Sequence, residues 1–358
     1  MNLSTEPLIL VINPGSTSTK VALFRGRHKL TEEALRHTRD QLARFPKLWD
    51  QFDFRLSAVQ AFLAKQNLPA FSLQAVVGRG GLLKPVSRGT YQVTDAMMED
   101  ARQGVQGEHV SNLGCGLALE ISKLYGGQPL VVDPVSVDEF DPLARYSGHP
   151  LLPRRSLSHT LNLRAASLWA AERLHLDPLA CNFVVAHLGG GISIAPIRGG
   201  RIIDVNDASS GGPFSPERTG SLPMQPFIEL AFSGQYDKTA LQKMVMGEGG
   251  LVAYLGTTNA EEIEGRISRG DVKAKEVYQA MAYQIAKEIG AMATVLCGDV
   301  EAVVLTGGLV HSSYLIQEIS RRIHFIAQLI LLPGELEMEA MAEGAWRVLT
   351  GQEKVQVY

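Results

Sequence analysis

The sequence predicts an α/β protein of two related domains, and three observations carry that reading. First, one glycine-turn hairpin occurs twice, in residues 9–24 and again in residues 184–197. In each copy an apolar run enters a turn of glycine and small residues, one polar side chain stands at the mouth, Asn13 or His187, and an apolar run leaves. Gapless superposition puts Asn13 on His187, Gly15 on Gly189, Gly26 on Gly200 and Arg27 on Arg201. Second, 358 residues exceed the length at which a single core keeps growing, so two domains are the default. Third, a further apolar run, residues 302–305, also enters a glycine turn, at Thr306-Gly307-Gly308. Such turns expose successive backbone N–H groups with no Cβ in the way, a concavity suited to phosphate oxygens. A nucleotide held between two related domains is the expectation.

The elements follow in order. After the first hairpin, residues 46–67 place Leu48, Phe52, Leu56, Val59 and Leu63 at helical spacing. A strand over 75–78 runs into Arg79-Gly80-Gly81, where glycines put an arginine on a loop rather than on a solvated helix face. Residues 111–125 read as a helix and 129–132 as an apolar strand ending at Asp133-Pro134, an aspartate opening toward a crevice. Residues 141–155 are rich in Pro, Gly and charge and mark the domain crossing. A helix over about 160–175 precedes the second hairpin, and residues 198–205 extend its sheet. The segment 207–220 holds too much Gly, Pro and Ser for regular structure; bounded by ordered elements and carrying Arg218, it reads as a functional loop. Val277, Met281, Ile285, Ile289, Met292 and Leu296 line one face of a long helix over 271–296, a core stripe. A helix over about 335–349 and a polar tail close the chain. The domains expected are residues 1–155 and 156–335, with the C-terminal stretch of about 336–358 packing back on the first.

Composition narrows the function. Apolar content of 45% and charged content of 20% describe an ordinary globular protein, and a net charge of −3 leaves no basic surplus for phosphate arrays. Neither a nucleic-acid nor a membrane partner is expected. Three scattered cysteines, Cys115, Cys181 and Cys297, fit a reducing compartment, and no signal peptide or bilayer-spanning run is present, so a cytoplasmic location is expected.

Common nucleotide signatures are missing. Gly15-Ser-Thr-Ser-Thr-Lys20 lacks the second glycine of a P-loop, the glycines at 189–191 do not make GxGxxG, and no kinase catalytic loop occurs. The set Asn13-Pro-Gly-Ser-Thr-Ser-Thr-Lys20, Arg79-Gly-Gly81, Val132-Asp-Pro134, His187-Leu-Gly-Gly-Gly191 and Thr306-Gly-Gly308, in that order, resembles the acetate and butyrate kinase family of the actin-like ATPase superfold. Gly107-Glu-His109, Ser147-Gly-His-Pro150 and Pro213-Phe-Ser-Pro-Glu-Arg218 are similar to its butyrate kinase branch. The resemblance covers residues 8 to about 350. It implies a duplicated actin-like (ribonuclease H-like) fold with a βββαβαβα core, a nucleotide cleft between the domains, and transfer of the ATP γ-phosphoryl group to a short-chain carboxylate, butanoate first, giving ADP and an acyl phosphate.

Joining two anions calls for cations and donors rather than a base. The resemblance implies Arg79, Arg218, His159, His187 and Asn13 at the transfer centre. It implies Gly15, Ser16, Ser18, Thr19, Lys20, Gly189, Gly190, Gly191, Gly307 and Gly308 around the nucleotide, and Asp133 and Glu337 at a Mg2+ site. The residues themselves admit other readings: a surface salt bridge for Arg79, a solvated loop arginine for Arg218, a satisfied strand-end histidine for His187, a turn with Pro134 for Asp133. Glu335, Glu337 and Glu339 all sit where a helix dipole favours acids, and the sequence does not choose among them. Where the acetate kinase pattern has Phe-His-Gly this chain has Ser158-His159-Thr160, which implies a larger acyl pocket unless water or Phe214 fills it. Acetate, propionate or branched acids, a sugar kinase of the same superfold using Asp133 as base, and a non-metabolic ATP switch remain as rivals. A homo-oligomer is a superfold-level expectation.

Overall fold

A computed structural model describes residues 5–358. The chain forms two compact units, one holding the described residues up to Asp138 together with Leu336–Tyr358, the other holding Glu139–Glu335. The crossing at 138/139 precedes the boundary at 155 that composition indicates. Phe140 and Ala144 account for the difference, because both are buried with Leu163, Ala166, Phe183 and Val185 in the core of the second unit. Apolar burial, not the density of Pro and Gly, fixes where the chain changes unit.

The first unit begins with an antiparallel meander, β1 (Leu8–Pro14), β2 (Ser18–Arg25) and β3 (His28–Arg36). It continues through α1 (Arg39–Leu42), α2 (Phe52–Lys65), β4 (Ala75–Arg79), β5 (Thr90–Gln92), α3 (Asp95–Gln103), α4 (Leu113–Tyr125) and β6 (Gln128–Val132). Every residue of β1 is buried. Leu8, Leu10 and Ile12 meet Val59, Phe62 and Leu63 of α2 and Leu113 and Leu117 of α4 on one face. The helices read over 46–67 and 111–125 start later than the apolar spacing implies, because 3-10 turns at Leu48–Gln51 and Val110–Asn112 lead into them.

The second unit holds α5 (Thr160–Leu174), β7 (Asn182–Leu188), β8 (Ile192–Arg198), β9 (Arg201–Ile202), four short helices α6 (Met224–Ala231), α7 (Lys238–Val245), α8 (Gly250–Leu255) and α9 (Ala260–Ser268), the long α10 (Val272–Val295), then β10 (Ala302–Gly307), α11 (Ser313–Ile323) and β11 (Gln328–Pro333). Strand alternation splits β7: Val184, Ala186 and Leu188 pack under α10, while Phe183 and Val185 pack under α5. Asp271 caps α10 by accepting from the Ala274 amide. The chain then returns to the first unit as α12 (Glu337–Leu349) and β12 (Gln356–Val357).

The duplication seen in sequence is structural. A shift of 174 residues carries β1 onto β7 end to end. The first sheet runs β12-β5-β6-β4-β1-β2-β3 and the second β11-β10-β7-β8-β9, so β6-β4-β1-β2-β3 is repeated strand for strand. Gly26 and Gly200, paired by the same shift, both take positive φ, 57° and 73°, in the turns that close each meander. The helix after β6, α5, packs on β7 and β10, and the helix after β11, α12, packs on β1, β4 and β6. In this way α5 covers the second sheet and α12 the first. Among the described residues no helix is long and apolar enough to cross a membrane.

Behind the first hairpin turn, His37 is 5% exposed and its Nε2 lies 2.9 Å from Thr19 Oγ1. Burial, with the Arg55 charge beside it, pushes its pKa down from 6.5 to about 4. Between those values the unfolded chain takes up a proton that the folded chain does not, so stability falls as pH drops from about 6.5 to about 4. In urea titrations at pH 7 and pH 5, His37→Gln should lose less stability over that interval than the parent.

Candidate active site

In the first unit three of the candidate residues meet. Asn13 ends β1 and Arg79 ends β4, parallel neighbours in the sheet, while Glu337 opens α12. Arg79 Nη1 lies 2.6 Å from Glu337 Oε2 and 3.3 Å from Asn13 Oδ1, and Asn13 Nδ2 donates to the same Glu337 oxygen at 2.8 Å. The Arg79 and Glu337 side chains are 17% and 5% exposed. Glu337 is thus the buried member of the acidic trio: Glu335 is exposed and Glu339 pairs with Lys29. The Nε/Nη2 edge of Arg79 makes no hydrogen bond among the described residues, nor does Glu337 Oε1. One nitrogen of the guanidinium is anchored, and two parallel donors remain for a planar anion.

Asp133 follows β6, is buried, and holds a positive φ of 39°. Its Oδ1 accepts from the Gly89 amide at 2.7 Å, tying the entry of β5 to the end of β6. No group of three or more His, Cys, Asp or Glu side chains gathers among the described residues. Mg2+ keeps most of its waters and takes one or two carboxylates beside nucleotide oxygens, and the open Oε1 of Glu337 and the Asp133 carboxyl fit that sparse requirement.

In the first turn, Ser16 and Thr17 are exposed, Gly15, Ser18 and Lys20 are half-buried, and the Gly15 amide closes the turn on Ser18 O at 2.8 Å. Thr19 differs from its expected use. Alternation along β2 turns it inward, fully buried, and its hydroxyl is taken by Arg55 and His37. It supports the turn from behind.

In the second unit His159 and His187 are stacked, with ring centroids 4.0 Å apart and planes 17° from parallel. Ser193 Oγ lies 2.9 Å from His159 Nδ1. Asn162, fully buried on the first turn of α5, places its amide Nδ2 2.7 Å from His187 Nδ1 and 3.3 Å from Thr306 Oγ1. With the Asn162 amide nitrogen turned to the ring, Nδ1 is the accepting nitrogen and Nε2 the one left to donate. Nε2 faces the glycine turn, where a Cβ on Gly189 would sit 2.9 Å from it. Arg218 lies across Gly191 so closely that any Cβ there would fall 2.7 Å from its guanidinium carbon. Its Nη1 donates to Ala208 O, and burial lowers its pKa against the opposing pull of Glu217 and Asp207. The segment 207–220 is not loose: Pro213, Phe214, Ser215 and Pro216 are buried, and Ser215 Oγ donates to Gly190 O. Phe214 packs in the cluster under α10, on the face of the sheet opposite α5. Ser158 is buried with its hydroxyl 3.0 Å from that of Thr160. Gly307 exchanges backbone hydrogen bonds with Gly334, and Gly308 is exposed.

Asn162 and Arg55 belong to no motif singled out in the sequence, Ser193 stood there only as part of the second hairpin, and Thr306 only as the start of a glycine turn. The repeat held a signal for one of them, since the shift that pairs Asn13 with His187 pairs Thr19 with Ser193, and each of these hydroxyls grips a histidine.

The Acetokinase family matches residues 154–331. A probable butyrate kinase 2 from Caldanaerobacter subterraneus subsp. tengcongensis is 50% identical over 350 residues, 98% of this chain and 99% of that one. Butyrate kinase 2 of Clostridium acetobutylicum is 45% identical over 351 residues, with the same coverage. Among solved structures, Porphyromonas gingivalis acetate kinase superposes with a TM-score of 0.80 at 19% identity, covering 96% of this chain and all of that one. The fold is therefore the duplicated actin-like ATPase fold.

Because Asn162 holds the imidazole of His187, Asn162→Ala should lower kcat by about tenfold or more and leave KM for ATP little changed. Steady-state kinetics over an ATP series checks this.

Proposed function

Because this chain belongs to the acetokinase family, on its butyrate kinase branch, we propose that it catalyses ATP + butanoate = ADP + butanoyl phosphate. It is an ATP-dependent carboxylate kinase. The observation that supports this reading best is Arg79, anchored through one nitrogen by Glu337 and Asn13 and presenting a free two-donor edge. Such an edge matches a carboxylate or a phosphoryl group in two parallel hydrogen bonds, and Lys could not replace it.

A carboxylate oxygen attacks the γ-phosphorus, the bond to the β,γ-bridging oxygen breaks, and ADP leaves. The acid is already ionised at neutral pH, so no base is needed. In this reading Arg79 holds the acid, His187 donates from Nε2 to a phosphoryl oxygen, and Arg218 offsets charge on the equatorial oxygens. His159, stacked on His187 and tied to Ser193, contributes beside it. The turn at Gly15–Lys20, Gly189–Gly191 and Gly307–Gly308 seats the nucleotide through backbone donors, Ser16, Ser18 and Lys20. Mg2+ would be held by Glu337 and Asp133 and would neutralise phosphate oxygens of the nucleotide.

In this reading Ser158, standing where the acetate kinase pattern has an aromatic residue, would leave room for a four-carbon chain, and Phe214, packed under α10, is engaged elsewhere. The cytoplasm suits an ATP-consuming enzyme with three free thiols. Relatives at 45–50% identity over nearly the whole chain set the sugar kinase and ATP-switch readings aside.

Acyl phosphate trapped as hydroxamate, with MgATP and acetate, propionate, butanoate, isobutyrate or isovalerate, tests the substrate: turnover should peak at four or five carbons, and an acetate preference overturns the enlarged pocket. Arg79→Ala should raise KM for the acid, and Arg218→Ala should chiefly lower kcat, each by about a hundredfold.

A further inference from the structure

Arg55, on α2, is the largest side chain with no exposed surface among the described residues, and the proposed reaction gives it no task. Its contacts converge on the first phosphate turn. Nη1 donates to Ser18 O and Thr19 Oγ1, both at 3.0 Å, Nη2 reaches Ser16 O at 3.4 Å, and Nε and Nη2 share Gln51 Oε1 at 3.1 and 3.0 Å. All of these acceptors are neutral. No carboxylate pairs with Arg55 among the described residues. Buried guanidinium groups ordinarily find an anionic partner, since an uncompensated charge in a dry site is costly. Burial lowers its pKa only to about 10, so the charge persists at neutral pH, while His37 on the far side of Thr19 is held neutral.

The same contacts orient the turn. In a trans peptide the carbonyl of one residue and the amide of the next point in opposite directions. Drawing the Ser16 carbonyl inward therefore turns the Thr17 amide outward, and Thr17 is exposed.

We propose that Arg55 is a positioning residue for nucleotide binding: from beneath the turn it fixes the outward amide, and it supplies a positive charge whose counter-ion is the bound polyphosphate. This rests on the assignment of the Gly15–Lys20 turn as the phosphate seat.

Gln51→Glu separates this from a purely structural role. Gln51 is half-buried, and glutamate keeps the shape and the acceptor while giving Arg55 the counter-charge it lacks. If Arg55 only braces the turn, the new ion pair strengthens the brace and nucleotide affinity is unchanged. If its charge serves the phosphates, the Kd for MgADP by titration calorimetry rises about tenfold, with Tm maintained and KM for butanoate within about twofold of the parent. Unchanged MgADP affinity in Gln51→Glu overturns the inference while leaving the reaction intact. Failure of the parent to bind MgADP would instead overturn the phosphate-seat assignment. In a second comparison Arg55→Lys should retain MgADP affinity within about threefold and Arg55→Gln, a neutral donor, should lose about tenfold. Equal affinity in these two variants also overturns the inference.

Discussion

The ion pair between Arg79 and Glu337 is the contact on which the first unit's arrangement depends. It joins residues 258 positions apart and fastens the start of α12 to the end of β4, so the returning chain is registered against the sheet at the point where a reacting group would be held. Desolvation offsets most of the Coulombic gain of such a buried pair, so its net contribution to stability is small. Removing one partner is another matter, costing about 3–5 kcal/mol because a charge is left uncompensated. The value of the pair is positional. Asn13 satisfies the same carboxylate oxygen and fixes which nitrogen of Arg79 is committed and which edge is left over.

The internal repeat gives the two units one plan with different chemistry. The shift that lays β1 on β7 sets Asn13 against His187 and Thr19 against Ser193. In the first unit the strand-end side chain gathers an arginine and a carboxylate; in the second it is an imidazole stacked on another imidazole and oriented by Asn162. In each copy the hydroxyl that the shift pairs, Thr19 or Ser193, lies 2.9 Å from a histidine nitrogen. The proposed transfer of a phosphoryl group to a carboxylate calls for cationic and proton-donating groups held in place, and for no base.

Much of this was legible in the sequence for identifiable reasons. The hairpins could be read because β1 is buried throughout and β7 from Phe183 onward, each running into a glycine, and α10 because its stripe of Met and Ile has strict helical spacing. The crossing at 138 could not, because Phe140 and Ala144 look like ordinary loop residues until the face they bury is known. The helices α6 and α7 carry no buried residue, so no core stripe marks them. Glu337 was indistinguishable from Glu335 and Glu339 because only tertiary placement beside Arg79 separates them. Asn162 and Arg55 were invisible for the same reason: a helical asparagine and a helical arginine are common, and their roles come from partners far along the chain.

In the proposed reaction Glu337 holds Arg79 so that its free edge can take the acid. The KM for butanoate in Glu337→Gln, measured at saturating MgATP, tests it most directly. An anchor that has lost its charge should release Arg79 and raise that KM about tenfold or more. A butanoate KM equal to the parent's, with only the magnesium requirement altered, would contradict it.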